Sequence, residues 1–433
     1  MPKGIQKLRV SFGESTLTHY GGMFLIQHFC KKLKIKELLY SNVRFLTQYT
    51  KYHPVELITI IIYAIIVGIL RLTGTKILQY NGSFQKILGL KTFPHSSRLN
   101  RFIISLDHKT LQAINRIHNH LLLKMFNRPR SRTSVIFDLD STVLTVYGKQ
   151  QGSKIGYNPH KKGRPSYQPL LCFEAHTQDF WHGEFRSGDI HASTGAVQFL
   201  QECFAKIPHG IYRIRVRGDA GFYDHYIIEY LDDRPAEYVV VAKITKPIQY
   251  IIPGLRYRRF REGHEIAEFQ YQPHGWKNPH RFIAERRLLP EEDPNSQPTL
   301  FVLKRYAYRV MVTNLSIKPE YVWYFYNGRC RVELIIKELK EDYPLGKIPS
   351  KYWNANKAYF HLLLFAYNIV NWFKRLCLPK ELQHFTLRTI RTEFLVVPAK
   401  LVKTDNKNLL KLPRNYVYQK AFLYAIKRIQ KMK

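Results

Sequence analysis

The spacing of apolar residues changes near residue 130. Before it, apolar residues recur at intervals of three and four in three clusters, Phe24–Phe29, Leu57–Leu72 and Leu111–Met125. This period predicts a helical segment over residues 1–130. The longest apolar run, Leu57–Leu70, has 14 residues. A bilayer span needs about 20, so this run is interpreted as a buried helix.

After residue 130 the pattern alternates. The predicted strands cover Val135–Asp140, Gln168–His176, Ile211–Arg217 and Tyr238–Ile244, and Gly195–Ala205 is a predicted helix. Strands that alternate with helices indicate a mixed α/β layer fold. Residues 247–313 show β-like alternation with few helix signals, and Asn354–Leu378 is a long apolar and aromatic helix.

Charge changes this picture most. Lys and Arg number 68 against 32 Asp and Glu, a formal net charge of +36 over 433 residues. Such an excess indicates a polyanionic partner, and nucleic acid is the first expectation. A basic protein of the ribosome or of a membrane surface is the alternative.

Several protein classes lose support from missing motifs. The five cysteines include no C-x-x-C pair, which predicts reduced thiols rather than disulfides or zinc. The phosphate-binding G-x-x-x-x-G-K-[ST] loop, the H-E-x-x-H zinc motif and the G-x-S-x-G elbow are all missing from the sequence. Residues Met1–Val10 lead into polar sequence without an apolar signal core. We therefore expect a cytoplasmic protein without a membrane partner or nucleotide cofactor.

The most informative stretch is YNGRCRVELIIKELK, which contains Tyr326, Arg329, Glu333 and Lys340. On one continuous helix, at about 100° per residue, these side chains would share an arc of roughly 60°. A carboxylate beside a guanidinium, an ammonium and a phenol is suited to holding phosphate and a cation.

Two upstream aspartates would complete an acidic triad with Glu333. Asp140 ends an apolar strand, with Asp138 as its competitor on the same face, and Asp219 follows another strand in GDAGFYD. Two divalent ions about 4 Å apart can activate a nucleophile and stabilise a leaving oxygen, and carboxylates hold them. Other possible ligands are Asp138, Glu174, Asp224, Glu338 and Glu341.

The Tyr-x2-Arg-x3-Glu-x6-Lys pattern resembles the YREK signature of bacterial insertion-sequence transposases of the DDE type. The segment from Tyr157 to Tyr167 resembles the insertion-sequence thirteen-eighty group. The resemblance implies an RNase H-like catalytic core over residues 131–246 and 314–378. It also implies a β-rich insertion over 247–313, a helical DNA-binding domain over 1–130 and a basic C-terminal region over 379–433.

The resemblance also implies a reaction. One strand is hydrolysed at each transposon end, and the freed 3′-hydroxyl attacks the opposite strand to form a hairpin before transfer to target DNA. Asp140, Asp219 and Glu333 would hold two Mg²⁺, with Mn²⁺ able to substitute. The expected partners are double-stranded DNA, as terminal inverted repeats and as target, and a second copy of the chain. Cleavage would take place at the nucleoid. An inactive, domesticated DNA-binding regulator is the alternative.

Further DNA contacts are expected outside the triad. Tyr326, Arg329 and Lys340 would position phosphates. The segment Gly148–Tyr167, called the basic loop below, would add contacts from Lys161, Lys162 and Arg164. Ser96–Phe102 could open a DNA-binding helix capped by one of its two serines, with contacts from Arg98 and Arg101. Trp276, in a polar turn, is expected to be exposed and to stack on a displaced base, with Trp323 as its rival. The purely structural alternatives are a solvated hairpin for the basic loop, an exposed basic helix for Ser96–Phe102 and a core position for Trp276.

Overall fold

The computed structural model describes residues 11–44, 51–289, 301–303, 306–347, 349–404 and 407–432. The helices are α1 (Met23–Lys32), α2 (Ile35–Asn42), α3 (Pro54–Ile66), α4 (Lys76–Gln79), α5 (Phe84–Ile87), α6 (Ser96–Ser105), α7 (His108–Phe126), α8 (Ala196–Phe204), α9 (His225–Asp232), α10 (Lys246–Ile251), α11 (Pro319–Asn327), α12 (Cys330–Glu341), α13 (Trp353–Cys377), α14 (Leu387–Ile390) and α15 (Gln419–Lys431).

The strands are β1 (Leu17–Thr18), β2 (Ser134–Ser141), β3 (Leu144–Thr145), β4 (Lys154–Ile155), β5 (Pro165–Tyr167), β6 (Leu170–Glu174), β7 (Phe180–Glu184), β8 (Arg213–Gly218), β9 (Ala236–Val241), β10 (Arg258–Arg261), β11 (His264–Tyr271), β12 (His280–Leu288), β13 (Phe301–Leu303), β14 (Tyr306–Thr313), β15 (Ala399–Thr404) and β16 (Lys407–Lys411).

The chain forms two compact units. A helical unit contains Met1–Ile117, Glu341–Ser350 and Asn354–Lys433, and a sheet unit contains His118–Lys340 and Lys351–Trp353. A compact unit is therefore not a contiguous segment here, because the helical unit combines residues from both ends of the sequence.

Within the helical unit, α3 is the predicted buried helix. It begins with a capping box in which the side chain of His53 accepts from Val55 and Glu56 accepts from the His53 backbone. Apart from this reciprocal cap, the helix is apolar on all sides and almost entirely buried. No helix among the described residues has both the length and the apolar character to cross a bilayer.

A different residue from the one predicted caps α6. The N-cap is His95, whose Nδ1 accepts from the backbone N–H of Ser97 at 3.2 Å. The predicted serine cap is wrong because His95 has the extended backbone of an N-cap and Ser96 is already helical.

The sheet unit is built on one mixed sheet. Its strands are ordered β10-β11-β12-β14-β9-β8-β2-β6-β7, with β13 paired to β14. Strands β2, β8 and β9 are parallel neighbours, whereas β6 and β14 pair antiparallel to this central group. The predicted β-rich insertion is thus continuous with the central sheet through β14.

The predicted elements of this core are confirmed within a few residues at each end. Val135–Asp140 lies within β2, Ile211–Arg217 overlaps β8 and Gly195–Ala205 contains α8. Strand β2 is buried along most of its length and its apolar run identified it, whereas β8 is exposed at its start and was identified by its alternation. The mixed sheet flanked by helices agrees with the predicted fold class.

Candidate active site

Strand register places the two predicted aspartates side by side. Asp138 of β2 pairs with Arg217 of the parallel strand β8. Two residues further along both strands, the same register brings Asp140 opposite Asp219. Asp219 follows the end of β8 and caps a short 3-10 turn by accepting from Gly221 N at 2.9 Å. The carboxyl ends of neighbouring parallel strands are a frequent place for a site in α/β sheets.

The YREK stretch is not the single continuous helix predicted from the sequence. Tyr326 lies near the end of α11, Arg329 lies in the junction, and Glu333 and Lys340 lie on α12. Arg217 Nη1 donates to the carbonyl of Phe325 at 2.6 Å, and the N–H of Arg329 bonds instead to Tyr326 O at 2.8 Å. The regular hydrogen bond between residues 329 and 325 is therefore replaced, which tightens the backbone at the junction.

Gly328 allows the Arg217 side chain to approach the junction between α11 and α12 closely. A Cβ added at this position would lie 2.4 Å from Arg217 Nη1, well inside van der Waals contact. The glycine in the signature therefore provides space for a buried guanidinium. This constraint is invisible in the sequence because Arg217 is more than 100 residues away.

Arg329 is the centre of the predicted acidic triad. Its Nη2 lies 3.0 Å from Asp140 Oδ2 and 3.7 Å from Asp219 Oδ2. Its Nη1 lies 3.3 Å from Glu333 Oε1. Three acids that are distant in sequence thus meet around one cation.

The same guanidinium is anchored to the sheet. Arg329 Nε and Nη2 donate to the carbonyl of Leu139 at 3.3 and 3.0 Å. The Arg329 side chain is only 4% exposed, whereas that of Glu333 is 63% exposed. The site therefore has a buried floor at Arg329 and an open side at Glu333.

The electrostatics follow from this burial. Burial raises the pKa of Asp140 to about 7, against the opposing charge of Arg329 and with the aid of the Asp219 carboxylate. Burial alone would lower the pKa of Arg329, but Asp140 and its neighbours outweigh burial and raise it. The guanidinium therefore stays charged and partly neutralises the acids.

The three carboxylates offer the oxygen ligands that hard divalent cations prefer. They already gather around a cation, the Arg329 guanidinium, so the donor set fits a metal. Among the described residues, however, no three His, Cys, Asp or Glu side chains lie close enough together to hold one as they stand. The Arg329 guanidinium lies between these acids.

The competing acids have other partners. Asp138 forms a two-point ion pair with Arg217, at 2.6 and 2.8 Å, and both side chains are buried. Glu174 is buried and accepts from Thr177, Asp224 caps α9, and Glu341 lies 3.9 Å from Arg388. Glu338 lies on α12, five residues beyond Glu333.

Replacement of Asp138 by Asn tests this distinction between structural and site acids. We expect Asp138→Asn to lower the free energy of unfolding by about 2–3 kcal/mol, because Arg217 would keep its charge without a carboxylate partner. Urea denaturation followed by tryptophan fluorescence measures the loss. An unchanged midpoint would mean that the Asp138–Arg217 pair contributes nothing to stability.

Tyr326 and Lys340 flank the acids differently. Tyr326 is 9% exposed and packs in an apolar cluster with Val322 and Trp323, and burial raises its pKa. Lys340 is exposed on α12. Partial desolvation lowers the pKa of Lys340, and the opposing attraction of the Asp140 carboxylate offsets only part of this effect.

Trp276 is not exposed, contrary to the sequence-based expectation. It is 9% exposed and packs against Tyr223 and His280, with ring centroids 5.3 and 4.9 Å away. The polar residues around Trp276 were misleading because this turn packs against aromatic side chains. Trp323 instead lines a pocket of about 250 Å³ with Arg309 and other polar residues, and its buried Nε1 has no hydrogen-bond partner among the described residues.

The remaining predicted DNA contacts occupy two surfaces. In the helical unit, Arg98 and Arg101 of α6 line a groove of about 550 Å³ together with Lys51 and Ser97. In the sheet unit, Lys161, Lys162 and Arg164 lie between β4 and β5 of a separate three-stranded sheet, ordered β3-β5-β4. The basic loop thus joins two antiparallel strands that pair directly, as in a hairpin, and the third strand β3 pairs with β5 on its other side.

Sequence reasoning missed two contributors to the site. Arg217 holds Asp138 and shapes the α11–α12 junction, and the Leu139 carbonyl anchors Arg329. Arg217 carried one usable signal. It lies two residues before Asp219, so in an extended strand both side chains share one face. A backbone carbonyl carries no such signal.

This chain is similar to one protein family and to one solved structure. The family model described as Transposase DDE domain group 1 matches residues 2–433. The cryo-EM structure of the piggyBac transposase synaptic complex with hairpin DNA is similar at 12% sequence identity, with a TM-score of 0.47. That match covers 82% of this chain and 74% of the other. No match is found among curated proteins.

Proposed function

The chain belongs to the Transposase DDE domain group 1 family, and from this premise we propose that it is a cut-and-paste DNA transposase. The observation that carries the proposal is the meeting of Asp140, Asp219 and Glu333 around one guanidinium. The substrate is double-stranded DNA at the terminal inverted repeats of an element, followed by target DNA. A net charge of +36 suits this polyanion.

Asp140, Asp219 and Glu333 hold the divalent cations, two Mg²⁺ with Mn²⁺ as a substitute. When bound, such ions stabilise phosphoryl charge and lower the pKa of water. The sheet fixes Asp140 and Asp219 by register, while Glu333 extends from the first turn of α12 with its side chain exposed. Two acids are thus pre-positioned and the third can adjust.

Arg329, Lys340 and Tyr326 act on the DNA phosphates. Arg329 supplies a positive charge 3.0 Å from Asp140, and Lys340 near the end of α12 supplies a second one. Tyr326 is largely buried, so it acts on the phosphates only through its hydroxyl group and otherwise supports the site by packing beneath it. Guanidinium and ammonium groups that hold phosphate oxygens stabilise developing charge without proton transfer.

The finer assignments are part of the same proposal. The chain is a YREK member of the insertion-sequence thirteen-eighty group, hydrolyses one strand and forms a hairpin by attack of the freed 3′-hydroxyl. Two copies pair two ends in the synaptic complex. The signature residues Tyr326, Arg329, Glu333 and Lys340 support this assignment.

A nicking assay on the element's own terminal repeats tests the function. We expect cleavage in Mg²⁺, its loss in EDTA and its return with Mn²⁺. DNA binding without cleavage in any metal would favour the inactive regulator instead. Binding that fails to distinguish terminal repeats from random DNA would favour a general basic protein.

The groove of the helical unit gives a second test. If Arg98 and Arg101 each contact a phosphate, the double substitution Arg98→Ala with Arg101→Ala should flatten the salt dependence of terminal-repeat binding. The slope of log affinity against log salt should fall by about 0.9 for each contact, or roughly 1.8 in total. Fluorescence anisotropy at several salt concentrations measures it.

Arg116→Ala is the matched control for this experiment. Arg116 is an exposed arginine on α7, the next helix, and its loss removes one positive charge, against two in the double variant. An equal change of slope for each charge removed would mean that general charge, rather than the groove, determines binding.

A further inference from the structure

Arg217 has more partners than its ion pair requires. Its Nε and Nη2 donate to the two carboxylate oxygens of Asp138 at 2.6 and 2.8 Å. This two-point pair already balances the charge of a guanidinium that is 4% exposed. The remaining Nη1 donates at 2.6 Å to the carbonyl of Phe325 on α11. This third bond therefore joins strand β8 to the helices that carry the YREK residues.

The Asp138–Arg217 pair lies directly beside the two aspartates of the site. Parallel register sets Asp138 beside Arg217 and, when it is continued by two residues, Asp140 beside Asp219. Two residues of strand advance about 6.6 Å, so the two pairs form adjacent layers on one face of the sheet. The helices contact the first layer through the α11 carbonyl and the second layer through the Arg329 guanidinium. The first contact therefore limits where the second can be made.

The Phe325 carbonyl has left the regular helical bonding pattern. The N–H of Arg329 donates to the carbonyl of Tyr326 at 2.8 Å, while Arg217 occupies the carbonyl of Phe325. Because every backbone carbonyl seeks a donor, loss of the Arg217 bond would let Phe325 accept from Arg329 and extend α11. The Arg217 bond thus helps to determine where α11 ends and where α12 begins.

Both helices are also held by other contacts. Helix α11 places Trp323 in an apolar cluster, and α12 buries Leu339. A change at Arg217 should therefore leave both helices folded and alter mainly the junction between them. Arg329 lies in this junction and Glu333 lies in the first turn of α12, so both would shift relative to the aspartates.

We propose that Arg217 is a positioning residue for DNA cleavage and acts on Arg329 and Glu333 through the Phe325 carbonyl. This inference rests on the proposed function and adds to it a buried residue of the sheet. Misplacement of a reacting group by about 1 Å can slow a reaction by about 100-fold. A guanidinium suits this role because its planar fork can hold a carboxylate at two points and a carbonyl at a third.

Replacement of Arg217 by Lys tests the role while a positive charge stays beside Asp138. We expect single-turnover cleavage of terminal-repeat DNA, at saturating protein and Mg²⁺, to slow by about 100-fold. The affinity for the same DNA in EDTA should be unchanged, and urea denaturation should show a folded protein. A purely structural role would not separate the cleavage rate from DNA affinity in this way.

Gly328→Ala disturbs the same contact from the other side. Gly328 has a φ of −57°, which alanine adopts without strain, but the added Cβ would lie 2.4 Å from Arg217 Nη1. We expect a similar slowing of cleavage with unchanged DNA affinity. In the double variant the shorter lysine leaves room for the Cβ, so the double variant should cleave no more slowly than the slower single variant. Two effects that multiply would mean independent damage and would overturn the inference.

Arg215→Lys is the matched control on the same strand. The Arg215 guanidinium lies 5.2 Å from the centroid of the Phe325 ring, against 5.0 Å for Arg217, but its Nε bonds Glu237 at 2.7 Å. We expect this variant to cleave normally, and slowing equal to that of Arg217→Lys would contradict a specific role for the carbonyl bond.

The wild-type protein separates this inference from the proposed function. If the wild type does not nick terminal repeats in any metal, the proposed function fails. If the wild type nicks and both Arg217→Lys and Gly328→Ala nick equally fast, only the positioning role of Arg217 is removed.

Discussion

Glu333→Gln abolishes DNA cleavage and leaves DNA binding intact: this is the expected result with the largest effect. Removal of one carboxylate from a metal-binding triad should slow strand cleavage by on the order of 10³-fold or more, equivalent to about 4 kcal/mol. Glu333 is 63% exposed and lies 3.3 Å from Arg329, so its loss should scarcely affect folding. Single-turnover cleavage of labelled terminal-repeat DNA measures the rate, and anisotropy measures binding.

Glu341→Gln is the matched control on the same helix. It removes the same charge, and the Arg388 guanidinium is 3.9 Å away from Glu341, with both side chains exposed. We expect this variant to cleave normally. If Glu333→Gln cleaves normally, or if both variants lose cleavage equally, the assignment of Glu333 to the triad is wrong.

Arg329→Met should have the second largest effect, and it is an effect on stability. Arg329 is nearly fully buried, bonds the Leu139 carbonyl and neutralises three acids. Its removal leaves a buried carboxylate at Asp140 without a partner, which typically costs about 3–5 kcal/mol. Urea denaturation should show this loss of unfolding free energy.

Two measurements distinguish this explanation from a simple packing defect. Asp140→Asn in the Arg329→Met background should recover part of the lost stability, because the unpaired charge is removed. Mg²⁺ should raise the unfolding midpoint of Arg329→Met more than that of the wild type, because a cation would replace the missing guanidinium. A midpoint insensitive to both changes would show that the loss is packing alone.

The α/β order could be predicted because β2 is an apolar run at buried positions and β8 alternates apolar residues with arginines, and both patterns are typical of strands. The positions of Asp140 and Asp219 followed from the ends of these two segments. The junction between α11 and α12 could not be predicted, because it depends on a bond from Arg217 to the Phe325 carbonyl. Helical periodicity describes only bonds within a helix.

The exposure of individual side chains could not be predicted from the sequence either. Trp276 lies among polar residues yet is buried, since Tyr223, 53 residues earlier in the chain, and the nearby His280 pack on it. Burial is a property of the neighbours in space, and one sequence does not name them.

The sequence alone determined the kinds of chemistry available to this protein: a large positive charge, acids at strand ends, and a helix carrying Glu333 and Lys340. Local patterns suffice for these because strand and helix periods are set by the backbone. Only the tertiary structure decided that Asp138 pairs with Arg217 and that Arg329 lies between Asp140, Asp219 and Glu333. Parallel register and the packing of α11 and α12 determine those partners, and both act between residues that are far apart in the chain.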